Sequence, residues 1–503
     1  MLFNSVGFLF LFLPIVFALF VFCRGLSWRA SMLVLIAGSL VFYGWANPPS
    51  VFLILASVGF NYGLGRLFAA GSLASTVRKW VLTVGIGSNL ALLGYFKYAD
   101  FFLENVAGLI GIDAQPTGIL LPLAISFFTF QQIAYVVDAY RGECGAEGLV
   151  KYSCFICFFP QLIAGPIVRH DEFLGQLGPN WLRRSLRFDV YAGLSMFALG
   201  LFKKTVLADS AGPIANAVFA IDPAALTPLE AWIGTFAFSF QIYFDFSGYS
   251  DMAIGLARCF GIVLPMNFDS PYKSTSIAEF WRRWHMTLSR FLRDYLYISL
   301  GGNRRGFPRQ LANLMVVMLL GGLWHGAGWG FVIWGGLHGT YLSINHLWRR
   351  FAESASRAPT QLGGYASRLL TLFAVSIAWV FFRAESATQA FSVIGRMLDL
   401  PELAASVAAL SSPSAWELGA LEATNWSEAP GVIGLLVILA AIVSLLPSSQ
   451  LWLERFDIVL RRPIGESTHV FSARAFETAA LAVILVLGIL AISNTSEFIY
   501  FRF

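Results

Sequence analysis

The chain has 503 residues, 57% of them hydrophobic and only 13% charged, with a mean hydropathy of +0.68. That balance excludes a string of soluble domains, the ordinary expectation at this length, and describes a polytopic membrane protein with no long polar block. A net charge of +5 suits basic cytoplasmic loops and argues against nucleic-acid binding.

Uncharged runs occupy residues 2–23, 30–65, 80–96, 114–137, 152–168, 231–244, 310–348, 369–382, 429–453 and 478–496. Two of them could each hold two crossings, and 190–207 could add one around its lysines, which predicts roughly 11 to 13 membrane-spanning helices. The first run lacks a basic leader and a clear small-residue cleavage site before Arg24, so it is expected to be a retained helix rather than a removed signal peptide. Arg24 and Arg29, then Arg66, Arg78 and Lys79, flank an uncharged turn at 45–50. By the positive-inside rule the N-terminus is expected outside and those basic loops in the cytoplasm. Five cysteines imply no disulfide framework; Cys154 and Cys157 form C-x-x-C inside an apolar run, where both are most simply packing residues.

In the middle of the chain, charge is packed too closely between apolar runs for ordinary loops. Residues 276–295 have helical spacing, with Trp281, His285, Leu288, Leu292 and Tyr295 on one face and Glu279, Arg282, Arg283, Arg290 and Arg293 on the other. A surface amphipathic helix and a helix buried at a cytoplasmic funnel fit equally well, and the basic face could meet lipid phosphates or an anionic donor such as a coenzyme. The GGNR run at 301–304 supplies a flexible basic turn.

His325 lies in LGGLWHGA, residues 320–327, within 39 consecutive residues that contain no Asp, Glu, Lys or Arg. An imidazole in an apolar span, beside glycines that would let a substrate approach the backbone, reads as a reaction site. The bland alternative is a packed histidine bonded to a neighbouring helix, but ionisable residues at membrane depth are costly and usually functional. His338 would stand roughly 140° from His325 on one unbroken helix, and the intervening glycines could break that helix. His170, His346 and His469 lie near charges or span ends and read as interfacial. No H-E-x-x-H or G-x-S-x-G pattern occurs, so neither a metal site nor a Ser-His-Asp hydrolase is indicated.

Residues 349–368 are basic, 384–428 are acidic, and Arg455, Arg461, Arg462 and Arg474 follow. This alternation is expected to bring the C-terminus outside. The segment FIYFRF at 498–503 is plainly explained as an interfacial aromatic belt.

The stretches QIYFDFSGYSDMAIG at 241–255, FWRRWH at 280–285, RDYLY at 293–297, GGNR at 301–304 and LWHG at 323–326 together resemble the membrane-bound O-acyltransferase family. AGPI at 164–167 and LGYFKY at 93–98 extend the likeness over nearly the whole chain. The branch it looks most like is the bacterial membrane subunit of alginate O-acetylation, with peptidoglycan O-acetyltransferase and teichoic-acid D-alanyl transferase as relatives. The resemblance implies one membrane domain over 1–503, with N-terminal helices at 1–138, a catalytic core at 150–350 and C-terminal helices at 366–503. It implies a ring of helices around a central tunnel that joins a cytoplasmic funnel to the outer face. It makes His325 the catalytic histidine, acting as general base on a hydroxyl that attacks an acyl thioester, and places His285 along the path. Asp245, Arg282, Arg283, Trp324 and His338 become candidates for lining the tunnel or binding the donor. Asp245 and Asp251 could instead hold the wall by hydrogen bonds, or one could pair with an arginine of 282–304. Tyr500, in a segment similar to acyl-carrying F-x-Y-x-x-F peptides, is a candidate acyl carrier.

The expected function is therefore transfer of an acyl group, acetyl above all, across the inner membrane to a secreted polysaccharide such as alginate. The expected donor is acetyl-CoA or another thioester, with no bound cofactor, and the expected partner is a periplasmic serine-hydrolase-like transferase. Peptidoglycan or teichoic-acid acylation are rivals within the enzyme class, and a proton-coupled transporter or flippase is the rival outside it.

Overall fold

The computed structural model describes residues 1–45, 47–113, 115–145, 147–183, 185–354, 361–413, 416–422, 424, 427–456, 458–460, 475–492 and 498–499. Tyr500 and His469 lie outside the described residues. Helices make up nearly all regular structure, and the strands among the described residues are two dipeptides, Leu264–Pro265 and Val459–Leu460, paired in parallel. The protein is all-α, the architecture in which a lipid-embedded segment satisfies its own backbone.

Among the described residues three helices are long and apolar enough to cross a bilayer, Pro49–Ala69, Leu186–Ala220 and Leu362–Arg383, and five shorter apolar helices accompany them. Large side chains point outward from many of these: Phe10 is 61% exposed, Phe52 77%, Leu362 80% and Phe476 84%. Each would cost about 1.5–3 kcal/mol in water relative to burial, and a hydrocarbon surround removes that cost. This is a membrane protein.

The chain forms two compact units. The first comprises Met1–Leu201, Tyr249–Met266 and Ser449–Asn494; the second comprises Phe202–Gly248, Asn267–Ser448 and Thr495–Phe503. In the first unit Phe3 packs on Phe8, Phe42 and Phe159 with ring centroids 5.1, 5.5 and 6.5 Å away. Cys154 and Cys157 are free thiols buried in its core. A Cβ on Gly255 would stand 2.5 Å from the Gly193 carbonyl, so at this crossing the backbones touch where only glycine fits. Asp251 accepts a hydrogen bond from the Gln450 amide. His170, read as interfacial, is buried with Nδ1 3.2 Å from Asp138 Oδ2. Burial pulls its pKa down, but the hydrogen bond and charge of Asp138, with the charge of Asp171, outweigh that and raise it.

The second unit is built on a helical hairpin, Phe307–His325 and Trp329–Ser354, broken at 326–328. A Cβ on Gly335 would collide with the Met318 carbonyl, and one on Gly322 with the Phe331 carbonyl. Of the glycines expected to make room for a substrate, Gly322 abuts the facing backbone and Gly326 the Phe331 ring, and Gly335, on the other helix, closes the same crossing. This corrects the sequence reading, because a small residue every few positions serves close helix approach as readily as ligand access.

Candidate active site

The spacing of 276–295 predicts one helix, and the chain makes two with a sharp break. Ile277–Arg283 is capped by Ser276, whose Oγ accepts the Glu279 N–H at 3.2 Å, while the Glu279 carboxylate accepts from Thr275 N and Oγ1, each at 2.9 Å. Trp284 is then extended at φ −97°, ψ 128°, and His285 is left-handed at φ 42°, ψ 54°. Met286–Phe291 resumes the helix and Leu292–Tyr297 is a π-helical turn. A non-glycine residue in that conformation costs about 1–3 kcal/mol unless its surroundings hold it there.

Asn267 holds it. Its carbonyl accepts the Met286 N–H at 2.9 Å, and its side-chain Oδ1 accepts from Thr287 Oγ1 at 2.8 Å and Thr287 N at 3.3 Å. His285 Nδ1 lies 3.1 Å from the same Oδ1. The Thr287 N–H can only donate, so the atom it meets must be the amide oxygen, and the neutral His285 must carry its proton on Nδ1. Its Nε2 then presents a lone pair, buried and without a hydrogen-bond partner in the structure. Asn267 was not singled out from sequence, since nothing local distinguishes it from any loop asparagine.

His325 ends the Phe307–His325 helix, where Gly326 turns extended at φ −163°. That stop swings the imidazole into the second unit's core, with its ring centroid 6.4 Å from His285, 5.0 Å from Trp324, 5.1 Å from Trp334 and 5.3 Å from Phe382. Trp324 also lies 6.1 Å from His285, and Phe246 packs edge-on against His285 at 4.7 Å. The two candidate catalytic histidines thus share one buried aromatic cluster, from different helices.

His338 sits on the far side of Trp334, 4.8 Å from that indole. Its Nδ1 accepts the Trp281 N–H at 3.2 Å, which leaves Nε2 as the protonated nitrogen of the neutral ring, buried and without a partner in the structure. The helix break makes the 140° separation irrelevant, and Trp334 bridges the two rings.

The remaining candidates separate. Arg283 is engaged with Glu279 at 2.9 Å and with the Asp269 carbonyl at 3.1 Å. Arg282 is exposed and donates to its own helix at the Ala278 carbonyl, 3.3 Å away. Asp245 pairs with Lys204, 2.7 Å away, rather than with an arginine of 282–304. The π-helical turn Lys203–Ala208 carries that lysine. A lysine inside the apolar run 190–207 was the signal that could have announced it, because a charge at that depth demands a partner. Among the described residues no cluster of His, Cys, Asp or Glu could hold a metal ion.

Comparison with known proteins gives a consistent picture. Residues 146–384 match the sequence profile of MBOAT, the membrane-bound O-acyltransferase family, an interval that holds Lys204, Asp245, Asn267, His285, His325 and His338. The chain is similar to a probable alginate O-acetylase AlgI of Azotobacter vinelandii, at 43% identity over 79% of this chain and 78% of that protein. It is 35% identical to a peptidoglycan O-acetyltransferase of Helicobacter pylori over 100% of this chain and 98% of that one. A teichoic acid D-alanyltransferase of Streptococcus thermophilus is 29% identical over 52% of this chain and 68% of its own length.

Proposed function

The chain belongs to the membrane-bound O-acyltransferase family and is an acyltransferase, and on that premise we propose that it O-acetylates a secreted exopolysaccharide such as alginate. The acetyl group comes from a cytoplasmic thioester, acetyl-CoA, and leaves on the periplasmic face of the inner membrane, where both termini lie. The observation that carries this reading is the pair of buried imidazoles, 6.4 Å apart in one aromatic cluster.

His325 acts as general base. It takes the proton of a hydroxyl whose oxygen attacks the thioester carbonyl carbon; the C–S bond breaks, and the departing thiolate receives that proton back from His325. His285, locked by Asn267, lies beside His325 and orients the thioester donor. The indole of Trp324 and the ring of Phe382 keep water away, so the thioester meets the hydroxyl and is not hydrolysed. The first hydroxyl is that of Tyr500, which follows Ile499, a residue held in the second unit by Asp245. A periplasmic serine-hydrolase-like partner then passes the acetyl group to the polymer, and a tunnel from a cytoplasmic funnel connects the two faces.

One observation favours a second acceptor. The alignment with the peptidoglycan O-acetyltransferase runs the full length of this chain, whereas that with the alginate protein covers 79% of it. Ester-linked acetate measured separately in secreted polymer and in cell wall, from a deletion strain and its complement, decides between the two. Loss from the polymer alone is the expected result, and loss from the wall alone assigns peptidoglycan. Acyl labelling of the peptide spanning 498–503, compared between the parent and Tyr500→Phe, tests the carrier; equal labelling removes Tyr500 from the route.

A further inference from the structure

Residues 498 and 499 are packed inside the second unit by groups that take no part in the bond-making step. The Ile499 N–H donates to Asp245 Oδ2 at 2.9 Å, across 254 residues of chain. The other carboxylate oxygen of Asp245 lies 2.7 Å from the Lys204 ammonium, which also donates to Asp209 Oδ1 at 2.9 Å. Asp245 and Lys204 are both almost wholly buried. One residue on, Phe246 receives the Phe498 ring at 5.9 Å and presses its own ring against His285 at 4.7 Å. Consecutive residues of one helix thus grip the segment twice, by its backbone through Asp245 and by its side chain through Phe246.

Burying a carboxylate and an ammonium is costly unless every lone pair and proton finds a partner. A pair kept solely for packing could satisfy itself with fixed groups of the membrane helices. Here one of the carboxylate's donors comes from a segment remote in sequence, so the ion pair is complete only when that segment is seated. We infer that Asp245, fixed by Lys204, is a positioning residue for acyl transfer: it latches the chain at Ile499, so that Phe498 completes the aromatic wall behind His285. The inference rests on the reading of the histidine cluster as the place of transfer.

The direct variant, Asp245→Asn, leaves Lys204 buried with a weakened partner and could fail to fold. Ile499→Pro removes the N–H and leaves the ion pair untouched, while its ring also fixes φ at 499 and restricts Phe498; Ile499→Val is the control that keeps the donor. Two readouts are taken on the full-length protein at equal membrane level: hydrogen exchange of the peptide spanning 498–503, and ester-linked acetate in the envelope of a complemented deletion strain. A hydrogen bond to a charged acceptor is worth roughly ten- to a hundredfold in the seating equilibrium. Ile499→Pro is expected to speed exchange by at least about tenfold and to lower acetate by a similar factor, while Ile499→Val changes neither. Unchanged exchange in Ile499→Pro, or faster exchange with acetate at the parental level, overturns the inference. His325→Ala separates the two ideas: acetate unaffected in that variant sinks the cluster reading, whereas segment exchange reports the latch without any turnover.

Discussion

Replacing Asn267 by alanine removes the one acceptor that fixes His285. Three donors converge on its Oδ1: Thr287 Oγ1 at 2.8 Å, His285 Nδ1 at 3.1 Å and Thr287 N at 3.3 Å. The threonine hydroxyl can rotate toward another acceptor, but the backbone N–H and the imidazole N–H cannot. Leaving these two buried and unpaired costs about 1–3 kcal/mol each, so a total of about 2–6 kcal/mol falls on a residue already in a left-handed conformation. Relaxation moves the ring, and a displacement of about 1 Å in a catalytic group costs on the order of 100-fold in rate. The assay is ester-linked acetate released by mild base from the envelope of a deletion strain complemented with the variant, normalised to its level in the membrane. Asn267→Ala is expected to lower acetate by about 100-fold, and Thr287→Val, which removes the hydroxyl while Oδ1 keeps two donors, by less than about threefold. Should Asn267→Ala retain acetate within about threefold of the parent at equal membrane level, the argument that this amide sets the position of His285 fails.

Other variants probe the surrounding packing. Trp281→Phe deletes the donor to His338 Nδ1 and is expected to destabilise the protein by about 1 kcal/mol, read as a lower thermal aggregation midpoint in detergent. Gly335→Ala places a methyl group against the Met318 carbonyl; overpacking of about 1–3 kcal/mol or more at this crossing predicts a marked fall in membrane abundance, which immunoblotting measures. In the first unit the raised pKa of His170, opposed by burial and carried by Asp138, means that its ion pair stabilises fully below the ordinary histidine value and is lost as pH rises through the raised one. The thermal midpoint of the parent therefore declines from about pH 6.5 upward, and His170→Gln flattens that part of the profile.

The histidine of LWHG was legible because a titratable side chain in a long uncharged stretch has few structural reasons to exist, and the all-α class followed from hydropathy alone. The break after His325 was legible from its glycines. Their contacts were not, because a stripe of small residues looks the same whether it faces a ligand or another helix, and Gly322 and Gly335 face helices. The helix at 276–295 misled for a similar reason. Its periodicity is real on both sides of residue 284, but Asn267, nine residues before Ser276, captures the N–H groups of Met286 and Thr287 and breaks the helix from outside. Lys204 and Asp245 each stood out as charges in apolar surroundings, yet their pairing depends on the π-helical turn that carries Lys204, a tertiary choice that no local spacing announces.

The most direct test uses the purified protein in lipid nanodiscs with acetyl-CoA, following thiol release for the parent, His285→Ala, His325→Ala and the double variant. Loss of the base should cost about 100- to 10,000-fold and loss of the positioning histidine on the order of 100-fold, and the double variant should be little worse than the poorer single one. Thiol release by His325→Ala at the parental rate, in protein that is folded and inserted, would contradict the account.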